Sequence, residues 1–183
     1  METWFNIPFA VLFVQFGVAA LFLGAAAHKF KMPTEFRSVL KGYRIIPAGL
    51  EGLSGTVIPS LELLVAALVL VRPDWGLLIA AGLLAGYALA MLSALVRGLS
   101  NIDCGCSWGA RKDGEGSLGS WQIIRNICLV GLCFFMAGRS SESAPHMLDY
   151  ITAIGALGIA VLMNSVIPQL RQNARWNSGG ING

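Results

Sequence analysis

Five apolar runs, at positions 7–27, 53–71, 75–96, 121–138 and 148–167, constrain this 183-residue chain more than any other feature. Each is 18 to 22 residues long, and about 20 apolar residues in a helix cross a hydrocarbon core. Together they take up 100 residues, which is why only 13% of the chain is charged where a soluble domain carries about 25%. Inside lipid a backbone must satisfy its own hydrogen bonds, so the runs are expected to be helices. The sequence therefore predicts an all-α integral membrane protein, a bundle of four to five transmembrane helices. The fourth run is the weakest, with Arg125 and Asn126 in its first turns, although a long arginine near a helix end can snorkel to the interface. The first run has no basic stretch before it and is too long for a signal peptide, so its retention is expected. Residues 1–170 read as one transmembrane domain, and 171–183, rich in Asn, Ser and Gly, as a polar flexible tail.

Between the first two runs, Phe30, Phe36, Val39, Leu40 and Tyr43 recur at near-helical spacing with bases between them. That pattern predicts a short amphipathic helix lying in the membrane interface, starting at Pro33 and Thr34 and ending before Pro47; an ordinary solvated connector is the competing reading. Pro59 interrupts the second run, with Glu62 one turn later. A carboxylic acid at that depth has to face the bundle interior. Lys29, Arg125 and Tyr87 are its candidate partners, and a buried hydrogen bond holding helices in register is favoured over proton handling. Gly82 and Gly86 make a small-xxx-small pattern in the third run, and Gly155 and Gly158, three apart in the fifth, read the same way, so close helix packing is expected there.

The chemistry-bearing residues lie in the polar, glycine-rich segment between the third and fourth runs. Cys104-Gly105-Cys106 places two cysteines one residue apart, and a disulfide closing so small a ring is strained and easily opened. It suits electron or disulfide transfer better than stapling. Arg111, Lys112 and Arg125 favour a thiolate here and Asp103 opposes it. Cys128 and Cys133 lie inside the fourth run, about 140° apart around a helix, and do not share a face. Cys128 is a candidate relay thiol beside Arg125, against the plainer reading of both cysteines as small buried apolar residues. Tetrahedral zinc needs four ligands; the segment offers Cys104, Cys106 and Asp103, so no metal is expected. His28 reads as an interfacial residue. A net charge of +3 with no basic stripe gives no sign of nucleic-acid binding.

These pieces, in this order, resemble the MauE family of methylamine utilisation proteins, within the broader DoxX-like membrane families. The matching features are Ala26-Ala27-His28-Lys29-Phe30 closing the first helix, then Tyr43 and Pro47, then Pro59-Ser60-Leu61-Glu62-Leu63. Asp103-Cys104-Gly105-Cys106 follows, with Trp108-Gly109 behind it, then Ser120-Trp121 and Arg125-Asn126. Many relatives carry an aromatic directly after the second cysteine, whereas here Ser107 intervenes before Trp108. The resemblance implies a bacterial inner-membrane protein that helps mature methylamine dehydrogenase. It implies a thioredoxin-fold partner like MauD and the disulfide-rich small subunit as client. Cys104 and Cys106 would carry the exchange, framed by Asp103, Gly105, Trp108 and Gly109 and supported by Cys128, Arg125 and Glu62.

A protein oxidising such a partner must pass electrons on, and a membrane quinone is one acceptor. A non-catalytic scaffold for the same client, or a small transporter using Glu62, are the competing readings. Orientation divides the sequence against itself. Ten bases in the 28–52 loop, the cysteine segment and the tail face two, Arg72 and Arg139, on the other side. The positive-inside rule puts the cysteines in the cytoplasm, whereas a periplasmic client needs them outside. The periplasmic face is the expectation, on functional grounds.

Overall fold

The computed structural model describes residues 7–43, 49–98, 120–139 and 146–159. The expected segment from Asp103 to Gly109, with Cys104 and Cys106, lies outside them, as does the 171–183 tail. Among the described residues there are only helices and turns: α1 (Ile7–Lys31), α2 (Pro33–Tyr43), α3 (Glu51–Val71), α4 (Pro73–Val96), α5 (Ser120–Ala137) and α6 (Met147–Ile159). α1, α3 and α4 are long and apolar enough to cross a membrane, and α5 and α6 are shorter apolar helices. The chain is a multi-pass membrane protein.

Proline sets two of the corners. Met32 alone separates α1 from α2, and its N–H still bonds the His28 carbonyl at 3.0 Å. Pro33 then opens α2, where a missing N–H costs nothing. At the second corner Arg72 alone joins α3 to α4, with φ −136° and ψ 79°, the extended backbone that Pro73 demands of its predecessor. The Arg72 N–H closes α3 on the Leu68 carbonyl at 2.8 Å, and the Gly76 N–H opens α4 on the Arg72 carbonyl at 2.7 Å. α4 ends at Val96, and Gly98 two residues on, with a φ of 72°, makes the left-handed turn that glycine adopts without penalty. At the start of α6 the Asp149 carboxylate accepts the His146 N–H at 2.9 Å, half of a capping box.

So tight a corner presses α4 onto α3, and Gly76 is where they meet. A Cβ there would lie 2.5 Å from the Val69 Cα and 2.6 Å from the Val69 nitrogen. Backbone atoms cannot yield as a side-chain tip can. Gly76→Val is expected to destabilise the protein by about 1–3 kcal/mol, the usual range for overpacking, read as a lowered unfolding midpoint in nanodiscs. Gly82→Val should leave that midpoint unchanged, because a Cβ on Gly82 meets nothing within 4 Å.

Side-chain contacts fix the helix directions. Gln15, early in α1, donates to the Val69 and Leu70 carbonyls late in α3, at 3.0 and 3.2 Å, while Lys29 at the far end of α1 pairs with Glu62. α1 and α3 are therefore antiparallel. Met91 and Ala94 of α4 pack with Ile123 of α5 at one end, and Trp75 and Leu78 line a cleft with Phe134 and Ala137 at the other. The larger core joins Val18 and Phe22 with Val65, Val69, Leu77, Ala80, Leu84 and Cys133. α6 reaches α1 through Tyr150, edge-on to Phe16 at 6.4 Å, and through Leu157 beside Gly17. α2, the end of α4 and the start of α5 thus share one end of the bundle.

The glycine patterns do not pack as the sequence suggested. A Cβ on Gly82, Gly86, Gly155 or Gly158 would meet nothing within 4 Å. α4 turns Gly82 and Gly86 outward, because Ala80, Ala81, Leu84 and Ala88 fill its inner face.

Candidate functional site

Three helices converge on one carboxylate. α1 contributes Lys29 from its last turn, α3 contributes Glu62 from its middle, and α4 contributes Tyr87 from its second half. The Lys29 ammonium forms a direct ion pair with Glu62 Oε1. The Tyr87 hydroxyl donates to the same oxygen at 2.6 Å, and Lys29 Nζ also donates to Tyr87 Oη at 3.4 Å. Lys29 Nζ lies 5.0 Å from the centroids of both the Phe36 and the Tyr87 rings, close enough for the ring faces to attract it. Lys29 is 2% exposed and Glu62 0% exposed. Near a helix end a lysine would ordinarily extend its amine to water; here the carboxylate draws it inward. Glu62 Oε2 is buried and has no hydrogen-bond partner among the described residues.

The surroundings are asymmetric. Towards the middle of the bundle the cluster gives way to Phe22, Val69, Leu77, Ala80 and Leu84, all buried and apolar. Towards the α2 end it is covered by Phe36 and by a second cluster of Tyr43, Met91, Ala94 and Ile123, against which Val39 and Tyr87 pack. Tyr87 thus belongs to both the charge cluster and the apolar cover. Tyr87→Phe keeps the ring and removes the donor. It is expected to cost about 1–3 kcal/mol, the loss of a hydrogen bond to a charged group, measured as a shift of the unfolding midpoint.

Of the three partners that the sequence offers Glu62, the structure brings Lys29 and Tyr87 to it. Arg125 is exposed on the outer side of α5, a correction that follows from the helix period. Ile123, Asn126, Cys133 and Ala137 are the buried positions of α5, and Arg125 lies off that stripe. The same geometry separates the cysteines of α5 as expected: Cys133 is buried in the core and Cys128 is exposed. The reading of Cys128 as a buried apolar residue is therefore corrected, while the same reading of Cys133 matches its place in the core. His28 is partly buried. Among the described residues no three His, Cys, Asp or Glu side chains gather where they could hold a metal ion.

Sequence reasoning missed Phe36 as the cover of Lys29, Gln15 as a clasp on α3, and Gly76. A lone amide in an apolar run was the signal available for Gln15.

Comparison with known proteins bears on the whole bundle. The family model described as "Methylamine utilisation protein MauE" matches residues 7–139. The chain is 28% identical over 169 residues to the methylamine utilization protein MauE of Methylophilus methylotrophus, covering 91% of this chain and 86% of that one. It is 29% identical over 144 residues to that of Paracoccus denitrificans, covering 77% and 75%. With that of Paracoccus versutus it is 32% identical over 131 residues, covering 70% and 68%. No solved structure matches.

Proposed function

Because the chain belongs to the MauE family of methylamine utilisation proteins, we propose that it is a membrane maturation factor working by thiol–disulfide exchange through Cys104 and Cys106. The partner in this reading is a thioredoxin-fold protein like MauD, and the client is the small subunit of methylamine dehydrogenase. A thiolate from one of the two cysteines attacks the partner's disulfide and forms a mixed disulfide; the second cysteine then displaces the partner. A loop disulfide and a partner dithiol result. The electron pair passes to the partner's sulfurs, and the two thiol protons are balanced by the two thiols formed. In the reverse sequence a partner thiolate attacks the loop disulfide, the partner's dithiol is oxidised to a disulfide, and Cys104 and Cys106 are left as thiols.

What carries the reading is the position of a Cys-Gly-Cys segment in the sequence within the span of the family match, between a helix ending at Val96 and one beginning at Ser120. Both of those helix ends lie at the α2 end of the bundle. Cys128, exposed midway along α5, is the supporting thiol in this proposal. Asp103, Gly105, Trp108 and Gly109 shape the segment.

The membrane in this reading is the bacterial inner membrane, with the cysteines on its periplasmic face. The test is labelling of Cys104 and Cys106 in intact cells with a membrane-impermeant maleimide, before and after a mild impermeant reductant. Labelling that appears only after reduction is the expected result. Labelling that requires disrupted cells would put the pair in the cytoplasm and remove the periplasmic relay.

A further inference from the structure

We propose that Glu62 is a proton-binding site reached from the α2 end of the bundle, and that proton uptake there releases α2 from its seat over Lys29. A pair serving only to lock helices in register has no use for an open acceptor. Glu62 keeps one: Oε1 takes both Lys29 and Tyr87, and Oε2 takes neither. A fully buried carboxylate oxygen with no donor is costly, and an ionisable group within a membrane span marks a site by default. The ligand it fits is the smallest donor, a proton carried by water.

Access is one-sided. The interior direction is closed by Phe22, Val69, Leu77, Ala80 and Leu84. Among the described residues, the α2 direction is closed by an 11-residue helix that follows directly on Met32, together with Met91 and Ala94 of α4 and Ile123 of α5. The contacts that seat that helix include Phe36 over the Lys29 ammonium, Tyr43 and Val39 in the apolar cover, and Arg37 lying across Gly55 of α3.

The consequence of protonation follows from charge. As a carboxylate, Glu62 compensates Lys29. A proton taken from water converts it to the neutral acid, with nothing oxidised or reduced. The buried ammonium is then left without a counter-charge, which proteins tolerate poorly. Lys29 stands in the last turn of α1, so its long stem can carry the amine to water. Its departure takes away the cation beneath Phe36. The groups facing Glu62 are Lys29 from α1 and Tyr87 from α4. On α2 the charged side chain against α3 is Arg37, about two turns from Glu62 at Gly55, and Arg125 of α5 faces outward.

The inference does not depend on the cysteine chemistry, and its test reads no enzyme activity. Hydrogen exchange of the α2 amides is followed in nanodiscs from neutral to mildly acidic pH and corrected for the intrinsic effect of pH. Protection of α2 should fall on acidification, by no more than about tenfold per pH unit, the limit for one proton. Glu62→Gln, which mimics the proton-bound state, should leave α2 unprotected even at neutral pH. Lys29→Met combined with Glu62→Leu removes both charges and should keep α2 protected at every pH, which also covers the case in which the single variant does not fold. Wild-type protection that is flat with pH, or a pH response that survives in the double variant, would overturn the proposal.

Discussion

Lys29→Ala is expected to destabilise the protein by about 3–5 kcal/mol, the usual consequence of stripping one partner from a buried ion pair. The loss comes mainly from what is left behind. Glu62, 0% exposed, would keep only the Tyr87 hydroxyl at 2.6 Å and would have no cation near it among the described contacts. Lys29→Met with Glu62→Leu should recover most of the loss, because two apolar side chains of similar volume replace a pair whose attraction is largely offset by its desolvation. Unfolding midpoints of the two single variants and the double variant in nanodiscs check this. If the double variant is as unstable as the sum of the singles, the pair is not acting as a compensated unit. The ion pair also explains why α1, α3 and α4 meet in one register. In a bundle whose other inward contacts are mostly apolar, with Gln15 and Asn126 the other buried polar side chains among the described residues, a misplaced turn would strand a charge in lipid, which costs far more than a repacked leucine.

Replacing both Cys104 and Cys106 with serine is expected to reduce maturation of methylamine dehydrogenase to background while the protein stays in the membrane at normal abundance. Serine cannot form the mixed disulfide on which exchange depends, and neither position is in the described helical core. The measurement pairs dehydrogenase activity and small-subunit disulfide content with quantification of the protein in washed membranes. Normal maturation in the double variant would sink the exchange reading and favour a scaffold, which needs the bundle but not the thiols. A transporter predicts a different ranking, with Glu62→Gln more damaging than loss of the cysteines.

What the sequence by itself determined is what hydropathy and local propensity encode. The spans were legible because each is a long apolar stretch bounded by charge or proline, and α3, α4 and α5 lie within two residues of the expected limits at each end. α2 was legible because a short helix with bases on one side and aromatics on the other carries its own orientation; Phe36 and Tyr43 are its buried residues. Helix direction followed from the count of crossings, so α2, the end of α4 and the start of α5 were expected at one end before any packing was known, and Tyr43, Met91, Ala94 and Ile123 do pack together there. Family membership was legible in the order of weak motifs along the chain.

The tertiary structure decided which face of each spanning helix looks inward. α1, α3 and α4 are apolar all round and carry no amphipathic stripe, so no local pattern could say that Gly82 and Gly86 face outward while Gly76 is pressed against the α3 backbone. The same indeterminacy left Glu62 with three candidate partners. Packing α1 and α4 together against the same face of α3 brought Lys29 and Tyr87 to it and left Arg125 outside. A pairing between residues 33 and 25 positions apart depends on how far each helix rotates about its own axis. Side-chain packing across the whole bundle fixes that rotation, and hydropathy along one segment does not.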